Sequence, residues 1–281
     1  MTGELLIVAT PIGNLGDASR RMLEVLESAD VVYCEDTRHS RTLFSANAIS
    51  PRGRLEALHE HNEASLCEQI IQRVAEGQRV AIITDAGTPG VSDPGARVIA
   101  AVATAGLRVS PIPGPSAVIA ALSVSGLPMD RFCMEGFAPR KAGERQLLWD
   151  RLEHVDCTTV LFESPNRVAD CLSSMVPSLG DRAAVVAREL TKLHEEVVRG
   201  TVRELASLFA AREVRGEIVI VVAGAAPLLD ADDATLEKAL AHELAAGAST
   251  KNAARDVASL YGVSTRRVYE LALLLRSEAS S

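Results

Sequence analysis

Between residues 79 and 117 two apolar strands each run into a glycine- and proline-dense loop that opens a helix. The first strand, Arg79 to Thr84, leads into DAGTPGVSDPG at Asp85 to Gly95 and a helix from about Pro94; the second, Arg108 to Ile112, leads into PGPSA at Pro113 to Ala117. Glycine removes the Cβ that would block a ligand, and proline sets φ before the first helical turn, so such loops are shaped before anything binds. Two of them at the carboxyl edge of one parallel sheet predict a nucleotide-like pocket.

The remaining pattern agrees with a doubly wound α/β architecture. A strand at Glu4 to Ala9 turns through TPIGNLGD, a helix follows over Ser19 to Ser28, and a second strand at Val31 to Cys34 precedes EDTRHSR at Glu35 to Arg41. After a helix over Pro115 to Ser125 a second αβ series begins, with strands near Phe132 to Phe137, Thr158 to Glu163, Ala183 to Glu189, Val197 to Thr201 and Glu217 to Ala223. The expected division is an N-terminal αβ lobe over 1–113, a second αβ lobe over 114–226 and a helical tail over 227–281, entered through the linker Ala226 to Asp233. Aromatics make up only 3% of the chain, so the core must be aliphatic, as in buried parallel sheets.

No run reaches the roughly 18 apolar residues of a membrane span, and the first residues enter a strand rather than an export signal, which predicts a cytoplasmic protein without membrane partners. Five widely spaced cysteines without a CxxC pair indicate neither a disulfide framework nor zinc. His59 and His61, read as alternating on a strand, lack a third ligand, so they are taken as a polar pocket wall and no metal is expected.

The net charge of −8 disfavours general nucleic-acid affinity, but charge is unevenly distributed. From Ala248 to Arg276 five basic side chains (Lys251, Arg255, Arg266, Arg267, Arg276) face two acidic ones. There STKNAARDVASLYGVSTRRVYELAL has helix-turn-helix spacing: Ala253, Ala254, Val257 and Ala258 face inward, Gly262 makes the turn, and Ser264 opens a helix presenting Thr265, Arg266 and Arg267. The competing reading is a helical hairpin packed on a dimer mate.

The pocket loops narrow the ligand. DAGTPGVSDPG carries Asp85 and Asp93 and no Lys or Arg, so it is not a triphosphate cradle, and TPIGNLGD is not the dinucleotide fingerprint. A cationic nucleoside, with an adenosine and a sulfonium, fits an acidic glycine loop better.

TPIGNLGD, EDTRHSR, HEHNE (His59 to Glu63), DAGTPGVSDPG, PGPSA, GFAPRK (Gly136 to Lys141), ESPNR (Glu163 to Arg167) and RELTKLHEE (Arg188 to Glu196) occur in this order, and together they resemble the ribosomal RNA small subunit methyltransferase I family of the tetrapyrrole methylase superfamily. The resemblance spans the chain, tail included. It implies two αβ lobes with S-adenosylmethionine bound in the cleft between them, a homodimer, and 2′-O-methylation of a cytidine ribose in the decoding region of 16S rRNA, with free rRNA or the 30S subunit as partner. It places donor contacts at Pro11, Ile12, Gly13, Ala86, Gly87, Thr88, Val91, Ser116 and Ala117, with Glu163 and Leu190 from the second lobe. The TPIGN loop replaces the superfamily's glycine-rich first loop and matches its RNA-modifying branch.

A ribose hydroxyl must be aligned and deprotonated before it attacks a methyl group. Lys192, Glu163 and Glu189 are the catalytic candidates, with Lys192 read as a desolvated base oriented by one of the carboxylates; His194 and, opposite, Glu35, Asp36, Arg38 and His61 are the reserves. Arg140 and Lys141 are expected to reach phosphate, with Arg167 and Arg188 extending the track, and Lys251, Arg255, Arg266 and Arg267 to contact RNA from the tail. Two alternatives stand beside this reading: a porphyrinoid-type small-molecule methyltransferase of the same superfamily, and a non-catalytic RNA-binding protein.

Overall fold

The computed structural model describes residues 3–225 and 231–278. They form two compact units, one of residues 3–153 with 157–223 and one of 154–156 with the described part of 224–281.

In the larger unit the first sheet has the order β3-β2-β4-β1-β5, every pairing parallel: β1 is Glu4–Val8, β2 Val31–Cys34, β3 Arg54–Ala57, β4 Arg79–Ile83 and β5 Val109–Ile112. Its central strands are near-continuous Val, Ile and Leu because both faces are covered. Met22, Val25 and Leu26 of α1 (Arg20–Ser28) pack on one face with Leu6, Val8 and Ile83; Ile70 and Val74 of α3 (Glu63–Ala75) and Val98 and Val102 of α4 (Ala96–Thr104) pack on the other with Leu5 and Ile82. EDTRHSR is a helix start: Asp36 caps α2 (Thr37–Ala46), accepting from the Arg38 backbone N–H at 2.7 Å and its guanidinium at 2.9 Å. HEH is a turn after β3 and not part of the strand, so the alternation expected for His59 and His61 does not occur; the His59 N–H donates to the Asn62 side chain at 2.8 Å.

The second sheet has the order β6-β7-β10-β8-β9, from Phe132–Phe137, Thr158–Glu163, Ile218–Val222, Ala183–Arg188 and Glu196–Thr201. Only β6 and β7 are parallel; β10 inserts antiparallel between β7 and β8, and β9 folds back on β8. The αβ alternation in the sequence reads as a parallel sheet, and the short 189–195 return is what reverses it. Across this sheet lies α5 (Ala117–Ser125), whose Val118, Ala121 and Leu122 bury against Val160, Val185, Ala187 and Val219, joined by Ile12 and Leu190. Trp149 of α6 (Ala142–Leu152), Met175 of α7 (Val168–Leu179) and Phe209 of α8 (Val202–Ala210) are fully buried.

The smaller unit contains α9 (Asp233–Ala245), α10 (Thr250–Tyr261) and α11 (Thr265–Glu278) around Leu236, Leu240, Ala253, Ala254, Val257 and Val268. Gly262 ends α10 in the left-handed conformation, φ 63° and ψ 25°, which admits the tight turn into α11. Most of the expected linker, residues 226–230, lies outside the described residues; Asp232 already caps α9 through the Thr235 N–H at 2.9 Å.

Candidate active site

The carboxyl ends of β1, β4 and β5 and the near ends of β7, β8 and β10 enclose a cavity of about 340 Å³, of the size that holds a nucleoside-sized ligand. Its first wall is mainly loop backbone. The Thr10 N–H donates to Gly87 O at 2.9 Å, Gly87 returns the bond to Thr10 O at 3.2 Å, and the Thr10 hydroxyl donates to Thr84 O at 3.1 Å. The TPIG and DAGTPG loops are therefore one clamped unit. Gly87 takes φ +84°, and a Cβ there would meet only Ile12 at 3.7 Å, so its open side is the cavity. The rest of DAGTPGVSDPG is rigid as well: buried Glu63 accepts from the N–H groups of Gly95, Arg97 and Val98 at 3.0, 2.7 and 3.3 Å, capping α4 where Gly95 has no side chain to do so.

Of the expected donor contacts, Ile12, Ala86, Gly87, Thr88, Val91, Ser116, Ala117 and Leu190 line this cavity, and so does Glu163. Pro11 and Gly13 flank Ile12 but are not in its lining; Gly13 instead lies beneath the Lys192 stem, which a Cβ would overlap. The sequence reading left out Ser92, Asp93, Phe137, Phe162, Glu217, Ile218 and Val219, which also line it. Asp93 was readable from its place in the acidic loop; Glu217 and Phe137 carry no local signal, since only the sheet order brings them here. Phe137 is exposed and leans on Phe162 with ring centroids 5.6 Å apart.

The second wall presents side chains that already have partners. Glu163 is wholly buried at the end of β7; its Oε1 accepts from the Ser164 N–H at 2.8 Å and lies 3.3 Å from the Arg167 guanidinium, while its buried Oε2 has no hydrogen-bond partner among the described residues. Burial and this carboxylate push the Cys171 thiol pKa well up. Arg167 also donates to Ala138 O at 2.9 Å and Pro139 O at 3.1 Å, fixing the GFAPRK loop, and Arg188 is bound to Glu196 at 3.0 Å, so neither is available for the phosphate track expected of it.

Lys192 Nζ donates to Glu189 Oε1 at 2.9 Å and to Glu217 Oε2 at 3.1 Å, and Glu189 Oε1 accepts the Glu217 N–H at 3.0 Å. Burial opposes the ammonium, but the hydrogen bonds to Glu189 and Glu217 outweigh it and raise the lysine pKa. For Glu189, burial is outweighed by the Glu217 N–H and Lys192, and its pKa falls. This geometry favours the charged form and runs against the expectation of a neutral Lys192 base. Glu189 and Thr191 sit at φ 53° and 68°, a left-handed turn that holds Lys192 over Gly13.

Four carboxylates gather at the acidic rim. Asp93 is pushed up to about 7, by burial first and then by the Glu35, Asp85 and Glu217 charges; Glu35 is also raised, by burial and Asp85. Asp36, by contrast, is lowered to about 2 by its hydrogen bonds from Arg38, so both belong to the α2 cap. His194 and His61 are exposed. Among the described residues no group of three or more His, Cys, Asp or Glu side chains is arranged to hold a metal ion.

Of the expected RNA contacts, Arg140 is exposed and Lys141 pairs with Glu144 at 2.9 Å. Within the helical unit Lys251 is exposed, Arg255 pairs with Asp256 at 3.0 Å, and Arg266 with Glu270 at 3.0 Å. Arg267 reaches Asp233 at 2.6 Å and Ala231 O at 3.3 Å, tying α11 to the start of α9.

Residues 4–206 match the tetrapyrrole (corrin/porphyrin) methylases. A ribosomal RNA small subunit methyltransferase I of Mycobacterium tuberculosis is 46% identical over 99% of this chain and 97% of its own, and one of Escherichia coli is 42% identical over 96% and 95%. The solved uroporphyrin-III C-methyltransferase of Thermus thermophilus, a complex with S-adenosyl homocysteine, shares the fold with a TM-score of 0.54 at 18% identity, over 79% of this chain and 97% of that one. The near-complete match to relatives of one name, on this two-sheet fold, places the chain in the ribosomal RNA small subunit methyltransferase I family of the tetrapyrrole methylases.

Proposed function

We propose that the protein transfers a methyl group from S-adenosylmethionine to the 2′-hydroxyl of a cytidine ribose in the decoding region of 16S rRNA. The observation that carries this reading is the charge of the cavity: its lining includes Asp93, Glu163 and Glu217 and, among the described residues, no Lys or Arg. A sulfonium nucleoside suits such a wall; a nucleoside phosphate does not. When bound, the sulfonium donor supplies an activated methyl carbon. The chain's part is to seat it against the backbone of Ala86, Gly87 and Ser116, with the uncapped first turn of α5 and the exposed ring of Phe137 beside it. Low-dielectric walls formed by Ile12, Ala187, Leu190 and Val219 exclude water from the transfer.

The acceptor class, ribosomal RNA, is supported by the relatives' shared name; we infer 16S rRNA or the 30S subunit as partner and a homodimer in the cytoplasm as the working state. No helix among the described residues is long and apolar enough to cross a membrane. In this reading Lys192 is a phosphate clamp at the rim, Arg140 and Lys141 extend it, and Lys251, Arg255, Arg266 and Arg267 add affinity from the helical unit. Mapping 2′-O-methylated nucleotides in rRNA from a strain lacking the gene tests the proposal: one cytidine of 16S rRNA loses its methyl group and regains it on complementation. An unchanged methylation map overturns it.

A further inference from the structure

Four of the loops that border the cavity carry an exposed large apolar side chain: Leu15 in TPIGNLGD, Val91 in DAGTPGVSDPG, Phe137 in GFAPRK and Leu193 in RELTKLHEE. Isolated apolar residues on a surface need no explanation, but four around one opening do. Leu193, 93% exposed, is the most exposed large apolar side chain among the described residues. Val91 and Phe137 line the cavity itself, whereas Leu15 and Leu193 stand outside its lining.

The last two belong together. The TPIGNLGD and RELTKLHEE loops cross where the Lys192 stem lies over Gly13, so closely that a Cβ on the glycine would sit 2.4 Å from Lys192 Cγ. Leu15 and Leu193 flank this crossing in the chain. Neither is exposed because its loop is loose. The Asn14 side chain accepts the Gly16 N–H at 2.9 Å, Asn14 O accepts the Asp17 N–H at 3.0 Å, and the Ala18 N–H donates to Leu15 O at 3.1 Å. On the other loop the Lys192 N–H donates to Glu189 O at 3.0 Å, the Glu195 N–H to Lys192 O at 3.1 Å, and the Thr191 N–H to the Glu195 carboxylate at 2.7 Å. This turn also holds Glu189 and Thr191 at positive φ, a conformation rare for residues with side chains. A strained and internally bonded turn that keeps a leucine in water displays it to a partner.

We propose that Leu15 and Leu193 form an apolar platform that takes unstacked nucleobases of the acceptor RNA beside the methylated nucleotide. The inference rests on the RNA methyltransferase reading above. The acceptor hydroxyl has to reach the donor's methyl carbon in the cavity, so the neighbouring nucleotides come to lie on the loops around the opening. Carboxylates of Asp93, Glu189, Glu195 and Glu217 on those loops repel a phosphate backbone, whereas the face of an unstacked base rests well on aliphatic side chains. The platform therefore selects a target nucleotide in a single-stranded or loop segment. A paired duplex keeps its bases stacked and offers these loops mainly phosphate.

The test uses the full-length protein, a Leu15→Ala/Leu193→Ala double variant, and a synthetic decoding-region RNA with 2-aminopurine, which brightens on unstacking, in place of the base 3′ to the target cytidine. Wild type is expected to raise the fluorescence about threefold at saturating protein, and the double variant to leave it close to that of free RNA. Affinity for S-adenosylmethionine by calorimetry should stay within about threefold, while KM for 30S subunits lacking the methyl group rises roughly tenfold and Leu193→Met keeps the wild-type value. Wild-type fluorescence and KM in the double variant overturn the proposal. So does a halved mass by sedimentation, which would place the leucines between two copies of the chain. Should the double variant fail to fold, Leu193→Ala alone decides by the same two readouts. Fluorescence needs no turnover, so a wild type that unstacks the base yet methylates no rRNA overturns the methyltransferase reading and supports the platform. A wild type that methylates without unstacking overturns the platform alone.

Discussion

The wall that comes from the first sheet meets the cavity with backbone, with small side chains and with the Asp93 carboxylate, whereas the wall from the second sheet meets it with charged side chains bonded to one another, Glu163 keeping one buried oxygen unpaired. In the first, Thr10, Gly87 and the Glu63 cap fix main chain to main chain, so the surface is rigid before a ligand arrives. In the second, Arg167 with Glu163 and Lys192 with Glu189 and Glu217 cross-link loops through side chains. One wall can define shape and the other charge. A substitution should therefore act on donor binding in the first and on stability or acceptor binding in the second.

The largest effect tests the second wall. Arg167→Met leaves the wholly buried Glu163 without its cation and releases the Ala138 and Pro139 carbonyls, so it should cost about 3 kcal/mol, read as a fall in the urea midpoint at unchanged m. A loss below about 0.5 kcal/mol would show that this pair does not cross-link the loops.

On the first wall, Gly87→Val adds bulk on the open side of a residue at φ +84°. Donor affinity by calorimetry should drop at least ~100-fold, about 2.7 kcal/mol, while Ala117→Phe, free of the φ penalty, should give a similar loss. Full affinity in both folded variants would move the donor out of this cavity.

Lys192→Met sharpens the contrast further. As a charged ammonium the residue should contribute to RNA binding, so KM for the 30S subunit rises roughly tenfold with kcat within about threefold. The reverse split would restore the lysine to the chemical step.

The pH dependence of stability is smaller. With its folded pKa raised to about 7, Asp93 keeps a proton that the unfolded chain has already lost. It therefore lowers stability as pH rises from about 4 through 7, fully so above that window. Because the group is half-exposed, the gain of Asp93→Asn over wild type should be on the order of 1 kcal/mol at pH 8 and vanish near pH 4. Thermal melts of both proteins across this range would reveal a gain at low pH instead if the shift had the other sign.

The smallest effect lies outside both walls. Lys251→Ala or Arg266→Ala, at exposed positions of the helical unit, should each weaken rRNA binding a few-fold and reduce the salt slope by roughly one. Unaltered slopes would favour the packing role for these helices.

The first wall was the legible one. Its loops are written in glycine and proline at fixed places after apolar strands, and most residues expected there, Ile12, Ala86, Gly87, Thr88 and Val91 among them, line the cavity. The second wall was opaque where partners are distant in sequence. Lys192 was read as a base beside Glu163 or Glu189, and only β10 running antiparallel beside β8 brings Glu217 to it. The strand–helix alternation likewise concealed the antiparallel pairings, since alternation records helix and strand but not direction. EDTRHSR was read for its charges, yet Asp36 and Arg38 serve the start of α2, a capping pattern present in the letters but outweighed by their chemical interest.

The Glu63 carboxylate has a further meaning for which small molecules this fold admits. Open parallel sheets commonly leave the amide end of a helix facing the ligand, and that end attracts phosphate. Here the amides of Gly95, Arg97 and Val98 at the head of α4 are already spent on Glu63. The chain thus disarms one of its own anion traps from within. An internal carboxylate seated on that helix occupies the place an anion would take at the head of α4, at the end of the DAGTPGVSDPG loop.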